Sequence, residues 1–329
     1  MVLGAGHPAR AQSDCASNPN SLIIYHAGSL SAAFTAVEKL FTQQTGACIT
    51  DVAAGSLDAA RRVSVGQEPA DIFAAADYLD ISLLLQPAGL ANYTIAFAKG
   101  GMVLAYTTDS RNANTIAGLD APSSPPNSVP KAAADWYEQL VQPGVVIGGS
   151  NPFLDPSGYR ADMIFQLATL CYQMPALYNT FLEHYTITRP TDALGTSYDY
   201  QFTYERSAFA AYQANPSASR YVKLSPAVSL ARTRQDMRYS QAVTVVPGLG
   251  VPDGAPKVAI PATRVTWGLT ILRTAPNYAN AVRFLQLLFS PQGVALQSAP
   301  GPAPLSPPVV SAADYAQVPA ELQPLVSRQ

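Results

Sequence analysis

Two segments of the chain share one design. Ala27-Gly28-Ser29-Leu30 and Ala54-Gly55-Ser56-Leu57 each close an apolar run with small residues and open a helix-like stripe. The first backbone N–H groups of a helix have no intrahelical acceptor, and the aligned peptide dipoles leave positive charge there. Such a turn can hold an anion without any basic side chain. Gly28 and Gly55 let the backbone approach closely, and the hydroxyls of Ser29 and Ser56 are expected to add a donor while capping their helices. One such turn is an ordinary helix cap. Two at the carboxyl ends of successive parallel strands occupy the place where open α/β sheets bind ligands. A third helix start, Asp155-Pro156-Ser157-Gly158-Tyr159-Arg160, puts Asp at the N-cap and Pro at the first helical position. Asp155 either caps this helix or offers a carboxylate oxygen to a ligand.

Nucleophilic and metal chemistry find less support. His26 stands three residues before Ser29, but neighbouring positions at a strand end need not face each other, and no acid partner is implied. The sequence contains no GxSxG, HExxH or P-loop pattern. His7 and His184 read as surface residues, and three scattered histidines do not suggest zinc. Seventeen tyrosines raise tyrosinate coordination of ferric iron, yet most fall at core-stripe or strand positions.

The elements that must position these residues follow from periodicity. Short apolar runs at Ser21–His26, Cys48–Ala53 and Asp71–Ala75 read as buried strands. Helical stripes follow each of them, at Ser31–Gln44 (ended by Gly46), Leu57–Val65 and Tyr78–Leu85. Three strand-then-helix units in a row predict parallel pairing and an α/β sheet. Tyr93–Thr107 gives two strand-like pieces around Lys99-Gly100-Gly101, and residues 110–130 form a Ser-, Pro- and Asn-rich loop that suits a domain edge. Further on, a short amphipathic helix is expected at Lys131–Val141 and a strand at Val145–Ile147. The helix opened by Asp155 runs to about Gln173, with Tyr159, Met163, Leu167, Leu170 and Cys171 along one face. Tyr198–Tyr204 alternates, Glu205–Gln213 reads as helix, Thr263–Leu272 as strand and Ala279–Phe289 as helix. The Pro-rich end after Ser298 is expected to wrap the surface.

Composition narrows the class. A chain of 329 residues suggests about two domains at roughly 150 residues each. Hydrophobic residues make up 48% and mean hydropathy is +0.07, so a sizeable core can form. Twenty basic against 22 acidic residues leave no surplus for a phosphate backbone, which argues against a nucleic-acid binder. No apolar run approaches the ~18 residues of a membrane span. Ala9-Arg10-Ala11 has the small-x-small form of a signal-peptidase site, with cleavage before Gln12. The apolar stretch ahead of it is short, so either a longer leader precedes Met1 or the segment is a frayed Ala-rich terminus. Cys15, Cys48 and Cys171 show no CxxC spacing. Cys15 and Cys48 could pair in an oxidising compartment, whereas Cys171 falls on an apolar helix face and reads as core.

The motifs taken together resemble a known family. Tyr-His-Ala-Gly-Ser-Leu at 25–30, Ala-Ala-Gly-Ser at 53–56, Ala-Asp-Ile-Phe-Ala-Ala-Ala-Asp-Tyr at 70–78 and Asp-Pro-Ser-Gly-Tyr-Arg at 155–160 are similar to the molybdate/tungstate-binding proteins of ABC importers, the archaeal-type branch above all. Tyr-Asp-Tyr-Gln-Phe at 198–202, Trp-Gly-Leu-Thr-Ile-Leu at 267–272 and Leu-Phe-Ser-Pro-Gln-Gly at 288–293 extend the resemblance over nearly all of residues 21–310. It implies an α/β, two-lobed type II periplasmic binding protein fold with the ligand cleft between the lobes. An N-terminal arm at 1–20 would precede one lobe of residues 21–106 plus 264–329 and a second of 107–263. It implies a non-catalytic, exported, monomeric receptor without a cofactor, working with an ABC transporter permease. Ser29 and Ser56, with Gly28 and Gly55, would bind the oxyanion, and Asp155 would join the coordination of its metal centre. The branch's second carboxylate belongs to a Phe-Glu-Tyr-Arg/Lys-Ser segment, here Phe202-Thr203-Tyr204-Glu205-Arg206-Ser207. An ungapped match puts Thr203 at the acidic position and offsets Glu205 by two, so Tyr204 and Glu205 are the candidates there, Glu205 as second metal-centre ligand. The competing readings are a receptor for sulfate, chromate, vanadate or ferric iron, and a secreted serine hydrolase using Ser29 or Ser56.

Overall fold

The computed structural model of the chain describes Cys15 and residues 18–119, 136–231, 239–249, 256–298 and 301–329. His7, the cleavage motif at 9–11 and the start of the helix expected from Lys131 lie outside the described residues.

The first unit comprises Met1–Ala98, Leu249–Gly254 and Trp267–Gln329. Its sheet begins with three strands, β1 (Ser21–Ala27), β2 (Cys48–Ala54) and β3 (Ile72–Ala75), and β1 pairs in parallel with both others. The full seven-stranded order is Ser327–Arg328, Ala303–Val310, Ile95–Lys99, Thr266–Ile271, β3, β1, β2. The helix α1 (Ser31–Thr45) follows β1 and buries Phe34, Val37 and Phe41, spaced as one helical face. Phe34 and Phe41 meet the ring of Phe284, from the helix Tyr278–Phe289, edge-on. Gly46 stops α1 in the left-handed conformation (φ +68°), which glycine adopts without a side-chain clash. A disulfide joins Cys15 to Cys48 at the start of β2.

Buried Asp71 ties the strands together. It accepts hydrogen bonds from the Ile23 N–H (2.7 Å), the Asn277 N–H (2.5 Å) and the Asn277 amide (3.1 Å). Burial raises its pKa against these three donors, which lower it.

The second unit comprises Lys99–Gly248 and Ala255–Thr266. In its five-stranded sheet β4 (Met102–Thr107) lies between β5 (Tyr200–Tyr204) and Ser219–Lys223, antiparallel to both, followed outward from β5 by Ile147–Gly149 and Tyr185–Ile187. The chain leaves the first unit after Ala98 and rejoins it at Leu249–Gly254 and again from Trp267, where the sequence predicts one excursion over 107–263. The helix α3 (Pro156–Cys171) buries Tyr159, Met163 and Leu167. Its last turn swings the stripe outward, so Leu170 is 42% exposed and Cys171 half-buried, not core. Phe165, Phe181, Phe202 and Trp136 form an aromatic core beneath it.

Two more expectations are corrected. Ala113–Leu119 is a helix inside the predicted loop at 110–130. The Pro-rich end does not merely wrap the surface, because Ala303–Val310 joins the first sheet between Ile95–Lys99 and Ser327–Arg328.

Candidate functional site

In the first unit the two serine turns arise side by side. Parallel register sets Ala27 of β1 opposite Ala54 of β2, so Gly28-Ser29 and Gly55-Ser56 leave adjacent strands at the same level. A short 3-10 turn (Gly28–Leu30) precedes α1, and α2 (Ser56–Ser64) starts directly at Ser56. The serines do not cap these helices. The N-cap positions are Ala27, Leu30 and Gly55, none with a side-chain cap, and both hydroxyls reach further. Ser29 Oγ accepts from the indole Nε1–H of Trp267 at 2.9 Å, and buried Ser56 Oγ accepts from the Ala76 N–H at 2.9 Å. Ala76 follows the last residue of β3, and Trp267 is the second residue of the strand antiparallel to β3. One edge of the sheet therefore gathers both hydroxyls, each with its oxygen engaged by a protein N–H. Held this way, a hydroxyl turns its proton outward as a donor.

The glycines are not required by backbone conformation. Gly55 is extended at φ −63°, and a Cβ on exposed Gly28 would meet nothing within 4 Å. At Gly28 the service to the turn is open space for close approach.

His26, 0% exposed, does not serve Ser29. Its Nε2 stands 2.5 Å from Asp51 Oδ1, and Nδ1 lies 2.8 Å from the Ala27 carbonyl oxygen. The acid partner missing from the sequence reading comes from β2, 25 residues on. Glu38 of α1 is buried nearby, and burial, reinforced by the Asp51 charge and opposed by His26, raises its pKa to about 7.

In the second unit Asp155 is the N-cap of α3 (φ −142°, ψ 131°) and accepts from the Ser157 N–H at 2.7 Å. Burial raises its pKa, opposed by the Ser157 N–H and hydroxyl and by the Arg160 charge. Ser157 Oγ is 2.6 Å from Ser150 Oγ, and the Tyr185 hydroxyl donates to the Ser150 carbonyl at 2.8 Å. Burial pushes the Tyr185 phenol upward, and the charges of Asp155 and Asp162 add to that. Gly158 is required here: a Cβ would lie 2.4 Å from the Ser150 carbonyl oxygen, so only glycine lets the 150–152 loop sit on the helix start. Arg160, 1% exposed, donates from Nη1 to the Tyr204 hydroxyl at 2.9 Å.

The structure thus groups Asp155 with Ser157, Arg160 and, through Arg160, Tyr204. It sends the other two candidates elsewhere. Thr203 pairs opposite Val103, on the sheet face that packs against Ala208, whereas Tyr204 projects from the other face. Glu205 opens α4 (Glu205–Ala214) and its Oε1 is 2.8 Å from Lys223 Nζ on the neighbouring strand. Glu205, the candidate second carboxylate, thus stands in an exposed ion pair with Lys223. Trp267, Ala76, Ser150 and Tyr185 were missed. Trp267 and Ala76 lay in the quoted motifs at 267–272 and 70–78; Ser150 and Tyr185 did not.

The first unit thus carries paired hydroxyls at adjacent helix starts, and the second a carboxylate that caps its own helix. The chain belongs to the family of bacterial extracellular solute-binding proteins, whose sequence model matches residues 22–301. An uncharacterized solute-binding protein of Petrotoga mobilis is 32% identical, the match covering 92% of this chain and 88% of that one. The molybdate/tungstate-binding protein WtpA of Pyrococcus abyssi is 31% identical, covering 98% of this chain and 93% of its own length. Among solved structures, the sulfate-binding protein SubI from Mycobacterium tuberculosis H37Rv has a TM-score of 0.58 at 17% identity, covering 94% and 93% of the two chains. That likeness establishes the shared two-lobed fold. No helix among the described residues is long and apolar enough to cross a membrane.

Proposed function

We propose that this protein is the extracytoplasmic receptor that captures molybdate or tungstate and passes it to the permease of an ABC importer. The observation that carries the reading is the pair of engaged hydroxyls, Ser29 on Trp267 and Ser56 on Ala76, at two adjacent helix starts. Backbone N–H groups of the Gly28 and Gly55 turns and these two hydroxyls would hold a tetrahedral dianion without a cationic side chain. The WtpA relatives of Pyrococcus abyssi and Thermococcus kodakarensis, 31% and 30% identical, support the choice of ligand.

Asp155 sharpens that choice. A carboxylate beside a dianion is repelled by Coulomb's law unless its oxygen bonds the central atom. Molybdenum and tungsten can expand their coordination to accept it; sulfur in sulfate cannot. Sulfate would be rejected by uncompensated charge. Asp155 is the carboxylate proposed for that bond, with Tyr204 linked to it through Arg160. The hydrolase reading loses its base, since the fully buried His26 has Nε2 on Asp51 and Nδ1 on the Ala27 carbonyl, leaving neither nitrogen for a serine.

A thermal-shift panel tests the reading. A ligand at a hundred times its Kd stabilises by about 2.7 kcal/mol. Molybdate and tungstate are expected to raise Tm, and sulfate is not. A shift with sulfate alone would overturn the assignment.

A further inference from the structure

The first unit holds a second group of side chains that the serine turns do not use. His26, Glu38 and Asp51 bring a ring nitrogen and carboxylate oxygens within 4.8 Å of one another, and no other group of three or more His, Cys, Asp or Glu converges so among the described residues. They come from three elements: His26 from β1, Asp51 from β2 and Glu38 from α1. The Ala27 carbonyl oxygen 2.8 Å from Nδ1 holds a proton on that nitrogen, while Nε2 shares one with Asp51 Oδ1 at 2.5 Å; a metal displacing that shared proton would meet the Nε2 lone pair and the carboxylates together. Glu38 is 8% exposed and its Oε1 is buried without a hydrogen-bond partner. A buried carboxyl oxygen with nothing to bond is costly and calls for an occupant. The Phe34 ring, 5.2 Å from the imidazole, closes one side, while the Asp51 side chain, 34% exposed, leaves a route from solvent.

The donor set identifies the occupant. One imidazole nitrogen with two carboxylate oxygens suits a divalent ion of the zinc class, which commonly takes three protein ligands and a water. Two carboxylates also neutralise a dication, so the filled site would bury no net charge. We propose that His26 Nε2, Glu38 and Asp51 form a zinc-class metal site that staples α1 to the β1–β2 pair, three residues before the Ser29 turn. This inference stands whether or not the oxyanion reading does.

Equilibrium dialysis of the chelator-stripped chain against zinc chloride tests it, with thermal melts alongside. The wild type is expected to take up a single zinc ion per chain and to melt higher with zinc. Glu38→Gln and Asp51→Asn should each bind zinc about tenfold or more weakly, while His184→Gln, outside the group, should match the wild type. Uptake well below one ion per chain overturns the proposal, as does full zinc affinity in both carboxylate variants. If Glu38→Gln does not fold, Asp51→Asn decides alone, since that side chain is partly exposed.

Discussion

Replacing Ser56 with alanine separates two roles that one atom plays. Ser56 is 0% exposed and its Oγ takes the N–H of Ala76, itself 2% exposed. Alanine removes that acceptor in a place water does not reach, which costs about 1–3 kcal/mol of folding stability. The same hydroxyl is the proposed donor to the oxyanion. A hydrogen bond to a charged partner is worth roughly 1.5–3 kcal/mol, so Kd should rise about ten- to a hundredfold. The backbone N–H groups of the turn survive the change, so binding weakens without vanishing. Urea unfolding of the ligand-free variant reads the first effect and calorimetric titration with molybdate reads the second. Lost stability with unchanged affinity would make Ser56 a bridge between α2 and β3 and nothing more. Unchanged stability would refute the bridge itself.

Four further outcomes are expected. Asp155→Asn keeps a good N-cap, so stability should hold within ~0.5 kcal/mol while the molybdate-to-sulfate affinity ratio falls; an unaltered ratio in paired titrations would sink the metal-centre role. Asp71→Ala removes an acceptor from three donors and should cost about 3 kcal/mol or more in denaturant unfolding. Cys48→Ser opens a disulfide spanning 33 residues, which chain entropy values at about 3.7 kcal/mol, measurable as a lower Tm. Hydrogen bonds from Arg62 chiefly hold the Glu68 carboxyl below its usual 4.5. Its stabilisation is therefore complete above about pH 4.5 and lost as pH falls through the lowered value, so the deficit of Glu68→Gln in urea unfolding should shrink as pH falls below 4.5.

Much of the first unit was legible because its signals are local. β1, β2 and β3 are short apolar runs, and the stripe of Phe34, Val37 and Phe41 with Gly46 after it writes α1 directly into the sequence. What the serines do was less legible. Ser after Gly at a helix start reads as a cap, but Ser29 and Ser56 spend their oxygens on Trp267 and Ala76, partners 238 and 20 residues away. His26 likewise showed no acid partner, because Asp51 reaches it through parallel register and Glu38 through the packing of α1. Glu205 read as a ligand displaced by two positions; its capture by Lys223 depends on which strand lies next to β4. Prolines concealed the strand Ala303–Val310, since a residue without an N–H is a poor advertisement for a ladder.

The central claim is that this chain binds a metal oxyanion through the two serine turns and excludes sulfate. Calorimetric titration of the purified protein, first with sulfate and then with molybdate in the same cell, tests it most directly. The account predicts no saturable heat from sulfate, followed by one-to-one binding of molybdate at undiminished affinity. Saturable sulfate binding that blocks molybdate would contradict it.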